Sequence, residues 1–271
     1  MTLNLILILK AIIVGIVEGI TEFLPISSTG HMIIVGNFIN FKGEFANLFE
    51  IVIQLGAILA IVVLYWKKIW SSLVGFFKLE KKGLKFWTNI IVAFIPAAIL
   101  GVLFADKIDR LLFSPVPVAI ALIVGAIMMI IIENRFRDNY ITPDVDNINL
   151  KQAFKIGCFQ CLALWPGMSR SASTIMGGWI TGLSTVAAAE FSFFLAIPTM
   201  LGATAYSLMK SGFTLTSNEV FTLVVGFIVS FLVALIVVDK FINYLKKKPM
   251  KVFAIYRLFV GVIILSFAFF V

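Results

Sequence analysis

Long apolar runs alternate with short polar breaks along this chain, and the runs come in two kinds. Six of them, Leu48–Trp66, Phe86–Ala105, Leu111–Ile132, Ala187–Met209, Val220–Val238 and Val252–Val271, match the roughly 20 apolar residues a helix needs to cross the hydrocarbon of a bilayer. Four more, Leu3–Val17, Met32–Phe41, Ala153–Trp165 and Ser171–Leu183, are shorter or interrupted by polar residues. They fall into two pairs, each bracketing a polar stretch that carries a proline and a glycine. Broken apolar segments at corresponding places in two halves predict re-entrant helical hairpins, because non-helical backbone persists at membrane depth only where protein or a wet cavity satisfies it. The expected fold is therefore an all-α polytopic membrane protein with six full transmembrane helices and two re-entrant helical hairpins.

The halves also match one another weakly. Leu24-Pro25-Ile26-Ser27 can be set against Trp165-Pro166-Gly167-Met168-Ser169, Asp106-Lys107-Ile108 against Asp239-Lys240-Phe241, and Val124-Gly125 against Val260-Gly261, at offsets of about 133–142 residues. Their shared order predicts an internal repeat inside a single integral membrane domain, residues 1–271: repeat 1 over about 1–135, a cytoplasmic loop over about 136–150, and repeat 2 over about 151–271. Five segments per half, an odd number, make the repeat an inverted-topology one.

Composition agrees with the pattern. Hydrophobic residues make up 61% of the chain and charged ones 13%, against the roughly 45–50% apolar share of soluble domains, and the mean hydropathy is +1.07. The net charge of +8 does not indicate a nucleic-acid partner, because the cations sit in short runs between apolar segments, where they set topology. Lys67, Lys68, Lys78, Lys81, Lys82 and Lys85 mark one cytoplasmic connection, Arg135 and Arg137 a second, and Lys246, Lys247, Lys248 and Lys251 a third. Asp106–Arg110 and the Ser211–Glu219 region carry no positive excess and fall outside, as do both termini. Leu3–Val17 lacks a small-residue cleavage site before Glu18 and reads as mature protein. Cys158 and Cys161 lack a second Cys pair, so they read as small apolar residues and not as half of a zinc site.

Against this background two stretches concentrate the chemistry: Glu18-Gly-Ile-Thr-Glu22-Phe-Leu-Pro-Ile-Ser27-Ser28-Thr29-Gly-His31 and Pro166-Gly-Met-Ser169-Arg170-Ser171-Ala-Ser-Thr174. Ionisable groups at membrane depth are costly and mark functional sites. Glu18 and Glu22, four apart, share a helix face and could supply a general base, orient one, or hold a divalent cation through oxygen ligands. Pro25 should break the helix, leaving Ser27, Ser28 and Thr29 at a restarting N-terminus, where orphan N–H groups favour phosphate. Ser28 and His31, three apart, place a hydroxyl beside an imidazole; either could itself attack phosphorus. Arg170 offers a permanent cation with forked donors suited to phosphate, flanked by Ser169 and Ser171, with Thr174 one helical turn on. Gln54, inside the adjacent span, could line the same pocket or bond between helices. Joined, the hairpins would hold an anionic, phosphate-like group tethered to an apolar tail.

These two stretches resemble the signature motifs of the undecaprenyl-diphosphate phosphatase family, also called bacitracin-resistance proteins, and the similarity extends over the whole chain in length, segment order and motif spacing. Ala172 stands where many relatives have Gly. The resemblance implies hydrolysis of undecaprenyl diphosphate to the monophosphate and inorganic phosphate, recycling of the lipid carrier for cell-wall glycans, and bacitracin resistance. It carries functional roles onto Glu18, Glu22, Ser28 and His31 in the first motif and Ser169, Arg170 and Thr174 in the second. It further implies a multi-pass protein of the bacterial plasma membrane with its site facing the outer side. The expected partners are a polyprenyl diphosphate lipid and the bilayer, with a homodimer as an option. The expected cofactor is a divalent cation, Mg2+ or Ca2+, at Glu18 and Glu22. In the expected mechanism Arg170, Ser169 and Thr174 grip the diphosphate, Ser28 or His31 attacks, and Glu22 orients or deprotonates the nucleophile. A transporter that flips a lipid phosphate is the rival reading, since broken helices in inverted repeats also suit alternating access.

Overall fold

The computed structural model describes the backbone of residues 4–210 and 215–270 and the side chains of 4–209 and 215–266. Leu3 of the Leu3–Val17 segment, the start of the Ser211–Glu219 region and the end of the Val252–Val271 span lie outside the described residues. All regular elements among those described are helical: α1 (Leu5–Thr21), α2 (Ser28–Phe38), α3 (Glu44–Leu64), α4 (Trp66–Phe77), α5 (Lys81–Leu112), α6 (Pro115–Phe136), α7 (Leu150–Gln160), α8 (Arg170–Ile180), α9 (Thr185–Lys210), α10 (Ser217–Leu245) and α11 (Lys251–Phe270), with 3-10 turns at Val145–Asn147 and Cys161–Leu164.

Five described helices are long and apolar enough to cross a membrane: α3, α5, α6, α9 and α10. Side chains at the start of each helix explain where several begin. The Asn149 carboxamide and the Thr216 hydroxyl form capping boxes with Gln152 and Glu219 at the heads of α7 and α10, satisfying donors that a helix leaves orphaned. Pro115 opens α6, where its missing N–H costs nothing.

α10 turns an apolar face outward and a face rich in small and polar residues inward. Along α10, Val224, Ile228, Leu232 and Ile236 are exposed, while Thr222, Gly226, Ser230 and Ala234 are buried. In lipid the small residues permit close backbone approach and so carry helix association. A Cβ at Gly15 or Gly19 of α1 would sit 2.9 or 2.7 Å from a carbonyl of α10. The α10 backbone is therefore wedged against α1 on one side and α3 on the other, and Ser230 Oγ donates to the Ile53 carbonyl at 2.9 Å. Elsewhere α11 packs on α6, α5 on α7, and α8 against α7, α9 and α6.

Two features depart from the sequence reading. α4 is a separate amphipathic helix in what reads as a basic connection; Trp66 and Trp70 stack on it at 5.6 Å, and Lys68 bonds Asp146 at 2.9 Å. The loop joining the halves, read from the sequence only as a connection, is pinned to the protein. Val145 and Ile148 are buried, and the Ile141 and Thr142 N–H groups donate to the Gly182 carbonyl at 2.9 Å.

Candidate active site

Both motifs break into the same local shape. After α1 ends, Pro25 cannot continue a helical ladder, and Ser27 turns to φ 71°, ψ 100°; in the second motif Ser169 takes φ 70°, ψ 119°. Positive φ is uncommon for a residue with a Cβ. Each serine is the N-cap of an 11-residue helix, its hydroxyl accepting from Gly30 N–H at 3.4 Å or Ala172 N–H at 3.2 Å. The first-turn N–H groups of Ser28 and Thr29, and of Arg170 and Ser171, are left with no helical carbonyl to meet, the setting that favours a bound anion.

Glu22 joins the two turns. Its Oε2 accepts from Ser28 Oγ at 2.7 Å and its Oε1 from Arg170 Nη2 at 3.2 Å. Arg170 Nη1 also donates to the Ser192 carbonyl at 2.9 Å and hydroxyl at 3.2 Å, and its guanidinium carbon lies 5.7 Å from the Phe23 ring centre. Thr174 Oγ1 meets Ser192 Oγ at 2.7 Å, so at 1% exposure it braces the residue that braces Arg170. Glu18, one turn before Glu22, is buried and interacts electrostatically with Glu22, Glu50 and Arg170. Glu18 Oε1, Arg170 Nε and Ser171 Oγ are buried with no hydrogen-bond partner. Orphaned polar atoms are uncommon in native interiors, and these three all belong to the two motifs.

His31 takes partners other than Ser28. Its Nδ1 lies 2.8 Å from the Ser27 carbonyl; a carbonyl only accepts, so Nδ1 carries the proton. In the neutral ring Nε2 then accepts from the Tyr256 hydroxyl at 2.7 Å, with the two rings stacked at 5.5 Å and 10°. The hydroxyl–imidazole pairing suggested by the spacing of Ser28 and His31 does not form, because Glu22 holds one and the Ser27 carbonyl with Tyr256 holds the other.

Of the remaining candidates, Ser27 and Ser169 act as caps. Half-buried Thr29 lines a cavity of about 330 Å³ with Lys42, Asn47, Glu50 and Phe113. Gln54, half-buried on α3, has no hydrogen bond to another described residue. Among the described residues no group of three or more His, Cys, Asp or Glu side chains gathers as metal ligands. Each Glu22 oxygen already accepts a hydrogen bond, whereas Glu18 Oε1 is buried without one.

The sequence reading missed Ser192, Glu50, Tyr256 and Arg257. Arg257 and Glu50 carried a usable signal, each an ionisable residue inside a predicted span. Ser192 and Tyr256 carried none, since a serine or tyrosine in an apolar helix is ordinary.

Fold and site together define a multi-pass helical membrane protein with a buried polar centre built on Glu18, Glu22, Ser28 and Arg170. A family model described as "Bacitracin resistance protein BacA" matches residues 11–263. The chain belongs to that family. It is similar to the undecaprenyl-diphosphatase of Clostridium novyi, 60% identical over 279 residues with 98% of each chain covered, and to that of Clostridium tetani, 59% identical over 266 residues with 98% of each covered. It is also 54% identical over 278 residues to undecaprenyl-diphosphatase 2 of Clostridioides difficile, covering 99% of this chain and 98% of the other.

Proposed function

We propose that this protein is an undecaprenyl-diphosphatase, hydrolysing undecaprenyl diphosphate to undecaprenyl phosphate and inorganic phosphate. It thereby recycles the lipid carrier of cell-wall synthesis and confers bacitracin resistance. Family membership and the relatives' names support the substrate; the Ser28–Glu22–Arg170 hydrogen-bond chain, at 2.7 and 3.2 Å, is the observation that carries the chemistry.

In this reading Arg170 and the first-turn N–H groups of α2 and α8 hold the diphosphate. Ser28 Oγ attacks the terminal phosphorus while its proton passes to Glu22 Oε2. The bond from that phosphorus to the bridging oxygen breaks, and the lipid monophosphate leaves with the proton from Glu22. Water then attacks the phosphoserine, giving one proton to Glu22, which passes it to Ser28 Oγ as inorganic phosphate departs. Phosphoryl transfer needs mainly positioning and charge neutralisation, which this arrangement supplies. Ser28 is favoured over His31 as nucleophile because neither ring nitrogen of His31 has a free lone pair. A divalent cation, Mg2+ or Ca2+, held by Glu18 Oε1 and phosphate oxygens would supply further neutralisation.

The finer architecture belongs to the same proposal: six crossings, including α11, and two re-entrant hairpins, α1–α2 and α7–α8. Helices α2, α7 and α8 have 11 residues each, about 16 Å at 1.5 Å per residue, roughly half the hydrocarbon thickness. Support for inverted repeats comes from packing that survives exchange of α1, α3, α5 and α6 with α7, α9, α10 and α11: α1 packs on α10 as α7 packs on α5, and α3 on α10 as α9 on α5. With the basic runs inside, the cavity at Thr29 opens to the outer side of the bacterial plasma membrane.

Purified protein in detergent micelles, supplied with undecaprenyl diphosphate and defined Mg2+ or Ca2+, tests the reading. The native chain should release phosphate and Ser28→Ala should not. A lipid transporter would release none in either case.

A further inference from the structure

The most heavily bonded cation in the site's surroundings is on neither motif. Arg257 of α11 is fully buried at 0% exposure, and no described carboxylate forms an ion pair with it. Its guanidinium meets backbone carbonyls instead. Nη1 donates to Pro25 O at 3.3 Å, and Nη2 to Gly167 O at 3.2 Å, Met168 O at 2.9 Å and Ala121 O at 3.4 Å. Pro25 lies two residues before the N-cap Ser27, and Gly167 and Met168 immediately precede the N-cap Ser169. One planar fork therefore spans both motif turns, which the sequence places in opposite halves of the chain.

The neighbouring helix leaves room for it. A Cβ on Gly125 of α6 would overlap Arg257 Nη2 and would stand 2.7 Å from Met168 Sδ. An unpaired buried cation is an expensive way to satisfy carbonyls that neutral donors could serve. Its position adds positive potential behind two helix N-termini that already favour anions.

We infer that Arg257 is a positioning residue of the active site, a clasp that fixes the two turns in register and so sets Ser28 and Glu22 against Arg170. The inference rests on the phosphatase reading and deepens it, adding Arg257 to Ser192 and Tyr256 as supports from outside the two motifs. Lysine cannot replace it, since a single ammonium lacks the fork that reaches both turns.

The test measures kcat and KM for phosphate release from undecaprenyl diphosphate by full-length protein in micelles, for the native chain, Arg257→Lys and Gly125→Ala, each with a thermal melt. Both folded variants should lose about 100-fold in kcat, the scale of a misplacement near 1 Å, with KM within about threefold of native. Native kcat in folded Arg257→Lys overturns the inference, as does a rise in KM alone, which would mean that Arg257 binds substrate directly. Failure of both variants to fold overturns it too, making Arg257 a purely structural residue. No release by the native chain indicts the phosphatase reading itself, and the inference falls with it.

Discussion

Glu22 commits both carboxylate oxygens to the centre, one to Ser28 and one to Arg170. Glu22→Gln keeps the shape but replaces one acceptor with an amide donor, and a misplaced or unactivated Ser28 follows. We expect kcat to fall by about 10²–10⁴-fold, the usual contribution of a positioned acid–base group, measured as phosphate release at saturating lipid. Tyr256→Phe keeps the ring stacked on His31 and removes only the hydroxyl at Nε2. If His31 acts only as a held, neutral group, this variant should lose less than about tenfold in kcat; complete loss would make the hydroxyl part of the chemistry. Glu18, Glu22, Ser28, His31 and Arg170 are legible in the sequence because polar groups in an apolar chain stand out. Which partner each one takes is not, since Ser192 and Tyr256 approach from helices far along the chain and carry no unusual residue type.

At the level of elements, spans and breaks follow directly from hydropathy: α3, α5, α6, α9 and α10 overlap five of the runs read from it, and the proline-containing breaks fall between 17-residue α1 and 11-residue α2 and between 11-residue α7 and α8. The reading misses α4, because lysines and serines interrupt an apolar stripe too short to cross. It also overlooks the small-residue face of α10, whose four-residue spacing is visible in Thr222, Gly226, Ser230 and Ala234 once its purpose is known. That face is where α1 docks and so where Glu18 is set in depth. Gly19→Val places branched carbon where a Cβ alone would stand 2.7 Å from the Ser230 carbonyl. It should destabilise the protein by about 1–3 kcal/mol, the range for overpacked interiors, seen as a lower melting temperature in detergent, with activity falling alongside. An unchanged melt would mean that α1 and α10 are less closely apposed.

For the whole molecule, the proposed inverted arrangement would bring α2 and α8 to a shared centre from opposite sides of the membrane; each turn supplies one serine cap and one end of the Ser28–Glu22–Arg170 chain. The basic runs predict its orientation. With Cys158 and Cys161 replaced by serine, Lys42→Cys should react with a membrane-impermeant maleimide in intact cells, and Lys247→Cys only after lysis. The reverse pattern would put the cavity on the cytoplasmic side and remove the outward-facing site. Phosphate release in micelles by folded Arg170→Ala, beside the native chain, tests the central claim most directly. An anion-gripping guanidinium bound to Glu22 predicts release by the native chain and none measurable in the variant; near-native turnover in the variant would contradict it.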